Sequence, residues 1–227
     1  MLEPRTYPRI LTQALVLEPA PFIEMAEDDE PIAEGLFLTV LLGALIGVAQ
    51  LIGGLLYSAS LPPADAAQSV MLQVARTLSG GANPAIDAVA QQWWNLFTLL
   101  RGYDTGWLRL FNLVWEPFLL LVQWLVVGLV TYTAGRALGG VGTLPKTLGA
   151  TALVCAPSAL LLLSIAPFVS VSSLLLLVWS VLITYRAVQV VHELPWRQAA
   201  VAAVLPFAVM AVVIGVLGLV ISLIVIL

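Results

Sequence analysis

The sequence predicts an all-α polytopic membrane protein: a bundle of five transmembrane helices with amphipathic interfacial helices at its faces. Three observations predict it. The first is composition: of 227 residues, 61% are hydrophobic and 10% charged, and the mean hydropathy is +1.03. Soluble domains carry about 25% charged residues, so lipid must be the solvent for much of this surface. The second is the recurrence of apolar runs of span length, at 35–59, 111–134, 148–166, 169–191 and 198–226. A helix needs ~20 such residues to cross a bilayer core. The third is the brevity of most connections, which leaves room for one membrane domain. The chain therefore divides into an amphipathic, acidic amino-terminal segment, 1–34, and a five-span domain, 35–227, carrying a long insert at 60–110.

Residues 1–30 are the most polar. Pro8 to Leu17 reads as a short helix with Ile10, Leu11, Ala14, Leu15 and Leu17 on or near one side. Pro19 and Pro21 interrupt it. Pro21 suits the first turn of a second short helix through Met25, where proline's missing N–H is unpaired in any case. Both read as interfacial helices whose apolar residues dip into the membrane. The run Glu27, Asp28, Asp29, Glu30 reads as a solvated linker, because hard-cation loops space their ligands around a turn. No cleavable signal peptide is visible, so the first span is expected to act as the insertion signal.

That span, 35–59, carries Gly43 and Gly47 as a small-xxx-small pair, with Gly54 beyond. Such a face lets helix backbones approach closely, within one chain or between two copies. Pro62 and Pro63 open the insert. Ala64 to Ser79 has helical spacing, with Val70, Met71, Val74, Ala75 and Leu78 on one side, and Gly80 and Gly81 stop it. Asn83 reads as an N-cap and Pro84 as the first residue of a helix to about Leu100. Gly102 to Gly106 make a turn. Of the seven tryptophans, four (Trp93, Trp94, Trp107 and Trp115) fall in this region, as expected of an aromatic belt at one membrane face. The insert reads as two amphipathic helices capping the outer side.

Span two, 111–134, ends at a glycine-rich turn, Leu138-Gly139-Gly140-Val141-Gly142-Thr143, flanked by Arg136 and Lys146. Span three, 148–166, contains Pro157 and ends at Pro167. Span four, 169–191, leads to the loop His192–Arg197. Span five, 198–226, contains Pro206, Gly215 and Gly218, and no polar tail follows it. The turn joining spans two and three makes them antiparallel neighbours.

Orientation follows from the positive residues. Arg5, Arg9, Arg136, Lys146, Arg186 and Arg197 fall on one side of a five-span chain; Arg76, Arg101 and Arg109 fall on the other. The amino terminus is expected in the cytoplasm and the carboxyl terminus outside, in a multi-pass cell-membrane protein.

Most chemistry is excluded by what the chain lacks. One cysteine, Cys155, and one histidine, His192, cannot assemble a thiolate cluster or a histidine metal site. The glycine-rich turn is no phosphate loop: Pro145 precedes Lys146, the glycine spacing is wrong, and no strand leads into it. A tight interhelical turn accounts for it better. Intramembrane serine catalysis lacks a base within the membrane and a Gly-x-Ser-x-Gly element. Paired intramembrane aspartates and a His-Glu-x-x-His element are also absent. No cofactor is expected. With a net charge of −4 and no basic stripe, nucleic acid is not a partner. The partners this surface admits are the lipid bilayer, a membrane protein or a second copy of the chain.

Ionisable and amide side chains within spans are functional hypotheses by default. Glu116 reads as the carboxylate inside an apolar segment, near the outer end of span two, where it either snorkels, pairs with Arg101 or Arg109, or moves protons. Arg186 lies near the inner end of span four, with Gln189 and Glu193 on the same face. This stripe would suit a headgroup or an anionic ligand, or Arg186 snorkels and partly neutralises Glu193. Gln50 and Gln123 complete the set a small transporter would need.

The order of motifs resembles the Yip1 domain family. An apolar span leads to Leu138-Gly139-Gly140-x-Gly142-Thr143, then to a span with Ala156-Pro157 in its first half. Trp179-Ser180 follows in span four. The loop Glu193-Leu194-Pro195-Trp196-Arg197-Gln198-Ala199 resembles the family's Leu-x-x-x-Lys/Arg-Ala pattern, and Leu17 to Met25 is similar to the segment preceding span one in bacterial members. The resemblance covers most of the chain outside 60–105. It does not extend to the Rab-binding role of the eukaryotic branch, whose Asp-Leu-x-Gly-Pro and Gly-Tyr elements this chain lacks. It implies a bacterial-type member in an inner membrane, with five spans, a cytoplasmic amino terminus and no established enzymatic activity. The leading expectation is a membrane-organising or interaction protein. The rival is a small-solute or ion transporter using Gln50, Glu116, Gln123 and Arg186.

Overall fold

The structure, a computed structural model, describes residues 4–60, 64–81, 83–101 and 108–226. Among these, helix is the regular structure throughout: α1 (Tyr7–Leu15), α2 (Ala20–Glu27), α3 (Pro31–Ser60), α4 (Ala64–Leu78), α5 (Pro84–Arg101), α6 (Asn112–Ala137), α7 (Leu144–Thr151), α8 (Ser173–His192) and α9 (Trp196–Ile226). A 3-10 segment, Ala152–Ile165, continues directly from α7. Five helices are long and apolar enough to cross a membrane: Pro31–Ser60, Asn112–Ala137, Leu144–Ile165, Ser173–His192 and Trp196–Val220. The expectations for Pro62, Pro63, the Gly102–Gly106 turn and Trp107 lie outside the described residues.

Inside a bilayer, burying one apolar side chain against another gains little, because lipid tails are equally apolar. Close packing and interhelical hydrogen bonds hold the helices instead. α3 illustrates the first. Gly43 sits against the backbone of Pro117, and Gly47 against Asn112 and Leu113, where any Cβ would clash. The glycine face is therefore occupied by α6 of the same chain, and α3 and α6 run antiparallel. α3 also packs along the 3-10 segment, so the first span lies between the second and third.

The third span is the most enclosed. Residues Thr147 to Ser158 are buried without interruption. It differs from the expected α-helix: fourteen residues, Ala152–Ile165, adopt 3-10 geometry, where runs beyond three or four are uncommon. Pro157 removes one backbone donor and explains a local break; the rest of the run has no evident sequence cause.

The amino-terminal helices also differ from expectation in what they cover. Tyr7, Ile10 and Ala14 of α1, and Phe22 and Met25 of α2, are buried against the bundle itself. α1 packs on the 3-10 segment and α8, and α2 on α7 and α8. The apolar stripe read as dipping into lipid is thus turned onto protein. The insert behaves otherwise. α4 and α5 pack on each other around Gly80 and Gly81, and the Arg76 guanidinium bonds the Asp87 carboxylate at 2.8 Å. Asn83 caps α5 through its side-chain oxygen, which accepts from the Ala85 N–H at 3.0 Å.

Candidate functional site at the glycine-rich turn

The end of the bundle where the chain enters α3, turns from α6 to α7 and passes from α8 to α9 concentrates the polar contacts. α6 stops in a Schellman arrangement: the Gly140 N–H donates to the Gly135 carbonyl at 2.8 Å and the Gly139 N–H to that of Arg136 at 3.1 Å. Gly139 takes φ +91°, a conformation a side chain resists. The Arg136 guanidinium donates to the Gly140 carbonyl at 3.0 Å and locks the turn.

The remaining glycines have a different reason. His192, at the last position of α8, is 1% exposed. A Cβ on Gly135, Gly140 or Gly142 would lie 2.6, 2.7 or 2.8 Å from its side chain. The Gly-Gly-x-Gly turn is folded around an imidazole. The Thr147 hydroxyl donates to the Thr143 carbonyl at 2.8 Å and lies 3.0 Å from His192 Nε2. The hydroxyl and Nε2 share a hydrogen bond whose direction follows the imidazole tautomer. Nδ1 is buried and has no hydrogen-bond partner among the described residues. The Val141 N–H donates to the His192 carbonyl at 3.3 Å and ties the turn to the end of α8.

α8 holds the amino-terminal segment. Trp179 Nε1–H donates to the Leu15 carbonyl at 2.8 Å and Arg186 Nε–H to the Leu17 carbonyl at 3.1 Å. These are carbonyls at the carboxyl end of α1, where a cation is electrostatically favoured. Arg186 also donates to Gln189 Oε1 at 3.0 Å, and Gln189 Nε2 to the Tyr185 hydroxyl at 2.7 Å. Arg186 thus engages Leu17 and Gln189. Glu193, the residue expected to neutralise it, ends α8 at φ +53° with an exposed side chain. Ser180, beside Trp179, points its hydroxyl at the Val154 carbonyl, 3.5 Å away. The Trp-Ser pair therefore serves two elements, α1 and the third span, whose Pro157 lies three residues past Val154 and is itself buried.

Two buried contacts were not foreseen. Glu34, in the first turn of α3, is fully buried and accepts from the Tyr7 hydroxyl at 2.6 Å. Burial and the adjoining Glu34 carboxylate push the Tyr7 phenol well above its ordinary range. Glu34 is the last residue of the 1–34 amino-terminal segment, one before the expected start of the first span at Gly35, and nothing in the sequence singles it out. Trp124 Nε1–H donates to the Leu148 carbonyl at 2.8 Å, joining α6 to α7. A tryptophan in mid-span, away from the belt, was the available signal.

The other polar positions are dispersed. Glu116 is half-buried in the second turn of α6, beside Trp115, which stacks on Phe111 with centroids 5.4 Å apart. The pairing considered for it, with Arg101 or Arg109, falls on side chains outside the described ones. Gln123 adjoins Trp124, which meets Gly35 of α3. Gln50 lies fifteen residues beyond Gly35, or about 22 Å along the axis at 1.5 Å per residue. The structure brings Arg186 and Gln189 together and leaves Gln50, Glu116 and Gln123 at separate heights.

A family model, the Yip1 domain, matches residues 14–217. No curated protein matches the chain, and no solved structure does.

Proposed function

The chain belongs to the Yip1 domain family, and from that premise we propose that it is a non-enzymatic membrane protein that organises its bilayer or holds a protein or lipid partner, with its amino terminus in the cytoplasm. The observation that carries this reading is the use made of Arg186. A span-borne guanidinium is the group best suited to meet a solute, yet this one binds the Leu17 carbonyl and Gln189. With Trp179 it straps α1 to the bundle. The strap, the glycine turn and α2 together form a hydrogen-bonded face at one end of the bundle, which suits an interaction protein. The dispersal of Gln50, Glu116 and Gln123 argues against transport, which needs polar groups joined along one path.

The test is flux. The full chain and its Glu116→Gln variant are reconstituted in sealed vesicles and assayed for ions and common metabolites. The expected result is no protein-dependent flux from either. Flux that the wild type supports and Glu116→Gln abolishes would establish the transport alternative in its place.

A further inference from the structure

The face just described contains a cleft of about 200 Å³ between α2, the glycine turn with the start of α7, and the end of α8. Its floor is apolar, with Ala26 and Val191 buried, and its rim carries the exposed side chains of Ile23 and Val141. Four polar residues line it: Glu27, Thr143, Lys146 and Glu193. Among the described residues, none of the three charges is in an ion pair.

The charges are sorted by position. Glu27 is the last residue of α2, and Glu193 directly follows the last residue of α8. Both carboxylates therefore sit at helix carboxyl ends, where the backbone already favours a cation. Thr143 and Lys146 bracket the amino end of α7, where it favours an anion. The cleft is lined by carboxylates at two helix carboxyl ends and by one lysine at a helix amino end, with a formal sum of −1. A simple anion would meet two carboxylates and a simple cation would meet the lysine. A zwitterion answers both signs of charge. The volume lies below the ~300–1,000 Å³ of pockets that enclose a whole small-molecule ligand, so it admits a headgroup while the rest of the molecule stays outside, along Ile23 and Val141. The cleft also lies at the ends of three spanning segments, the depth at which headgroups sit.

We propose that this cleft binds the headgroup of a phospholipid bearing a primary amine, its ammonium between Glu27 and Glu193 and its phosphate on Lys146 and Thr143. A primary ammonium donates three hydrogen bonds; the trimethylated ammonium of a choline lipid donates none, so the two lipids are distinguished by the carboxylates alone. The proposal rests on the reading of this face as an interaction surface, and it names the ligand.

The test uses the full chain in detergent, with binding of short-chain phosphatidylethanolamine, phosphatidylcholine and phosphatidylglycerol followed by the shift in thermal unfolding. Ethanolamine lipid is expected to bind about tenfold tighter than either other lipid, the worth of one charge-assisted hydrogen bond. The double variant Glu27→Gln, Glu193→Gln should bind ethanolamine and choline lipids alike. Lys146→Gln should weaken both by about tenfold. All three side chains are exposed, so the variants should keep wild-type circular dichroism. Equal binding of the three lipids by the wild type, an ethanolamine preference kept by the double variant, or affinities unchanged by Lys146→Gln would overturn the proposal. Binding of soluble phosphoethanolamine as tight as that of the lipid would overturn the assignment to a membrane source. Vesicle flux does not enter this readout, so failure here and failure of the functional reading are separate results.

Discussion

At the scale of single residues, the glycine-rich turn separates two uses of glycine that look identical in sequence. Gly139 is needed for its backbone: φ is +91° and nothing lies within 4 Å of a Cβ placed there. Gly142 is needed for space: a Cβ would lie 2.8 Å from the His192 ring. Gly139→Ala should cost about 1–2 kcal/mol through backbone strain, and Gly142→Ala about 1–3 kcal/mol through overpacking. Thermal unfolding of the single variants cannot tell the causes apart, but a double-mutant cycle with His192→Ala can. Truncating the imidazole should remove the part of the Gly142→Ala penalty due to the ring, leaving the contact with Val191 Cγ1 at 2.9 Å, and should leave the Gly139→Ala penalty intact. Equal coupling of both glycines to His192 would refute the division. The sequence exposed the turn but hid its purpose. His192 lies about fifty residues from the glycines, and at the edge of an apolar run a histidine reads as loop. Glu34 was hidden for a related reason, since a carboxylate at the mouth of a span looks solvated until a partner such as Tyr7 arrives from another helix.

At the scale of elements, periodicity and hydropathy located the spans because each is a property of one segment. Span one was expected at 35–59 and occupies Pro31–Ser60; span five was expected at 198–226 and begins at Trp196. The 3-10 geometry of Ala152–Ile165 was illegible, because α and 3-10 helices of the same apolar residues share one composition. The destination of α1 was illegible as well. An amphipathic stripe states that one face is apolar without stating whether lipid or protein covers it. Here the cover is protein, and the Trp179 and Arg186 bonds to Leu15 and Leu17 fix it. If those bonds hold the strap, Trp179→Phe and Arg186→Gln should each speed amide hydrogen exchange across residues 7–27. Loss of about 1 kcal/mol per bond corresponds to roughly fivefold faster local opening. α3 and α6 should keep wild-type protection, because neither variant touches the Gly43–Pro117 contact. Uniform loss of protection through all helices would mean that these residues support the whole bundle and not a separable strap.

At the scale of the whole molecule, polarity is distributed unevenly between the two ends. One end has the strap, the locked turn, the buried His192 and the α2 cleft. The other ends of spans four and five are sparsely packed: Leu174, Leu175, Leu177 and Val178 of α8, and Val212 through Val220 of α9, are exposed apolar positions. A surface of that kind is stable only in lipid. The positive residues follow the same asymmetry, with Arg9, Arg136, Lys146 and Arg197 at the densely packed end and Arg76 on the insert. The positive-inside rule predicts that this end faces the cytoplasm, and the prediction has a direct test. Thr143, in the turn, and Gln73, on α4, are both exposed. Cys155, the native thiol, is buried and serves as an internal blank. In intact cells, a membrane-impermeant maleimide should label Gln73→Cys and spare Thr143→Cys; after permeabilisation both should react. Labelling of Thr143→Cys in sealed cells would invert the topology. Inversion would place the proposed lipid cleft in the outer leaflet, where the same lipid-binding measurements would apply but the cytoplasmic interaction role would fail. The orientation is thus the point at which the charge pattern and the proposed role can be broken by one experiment.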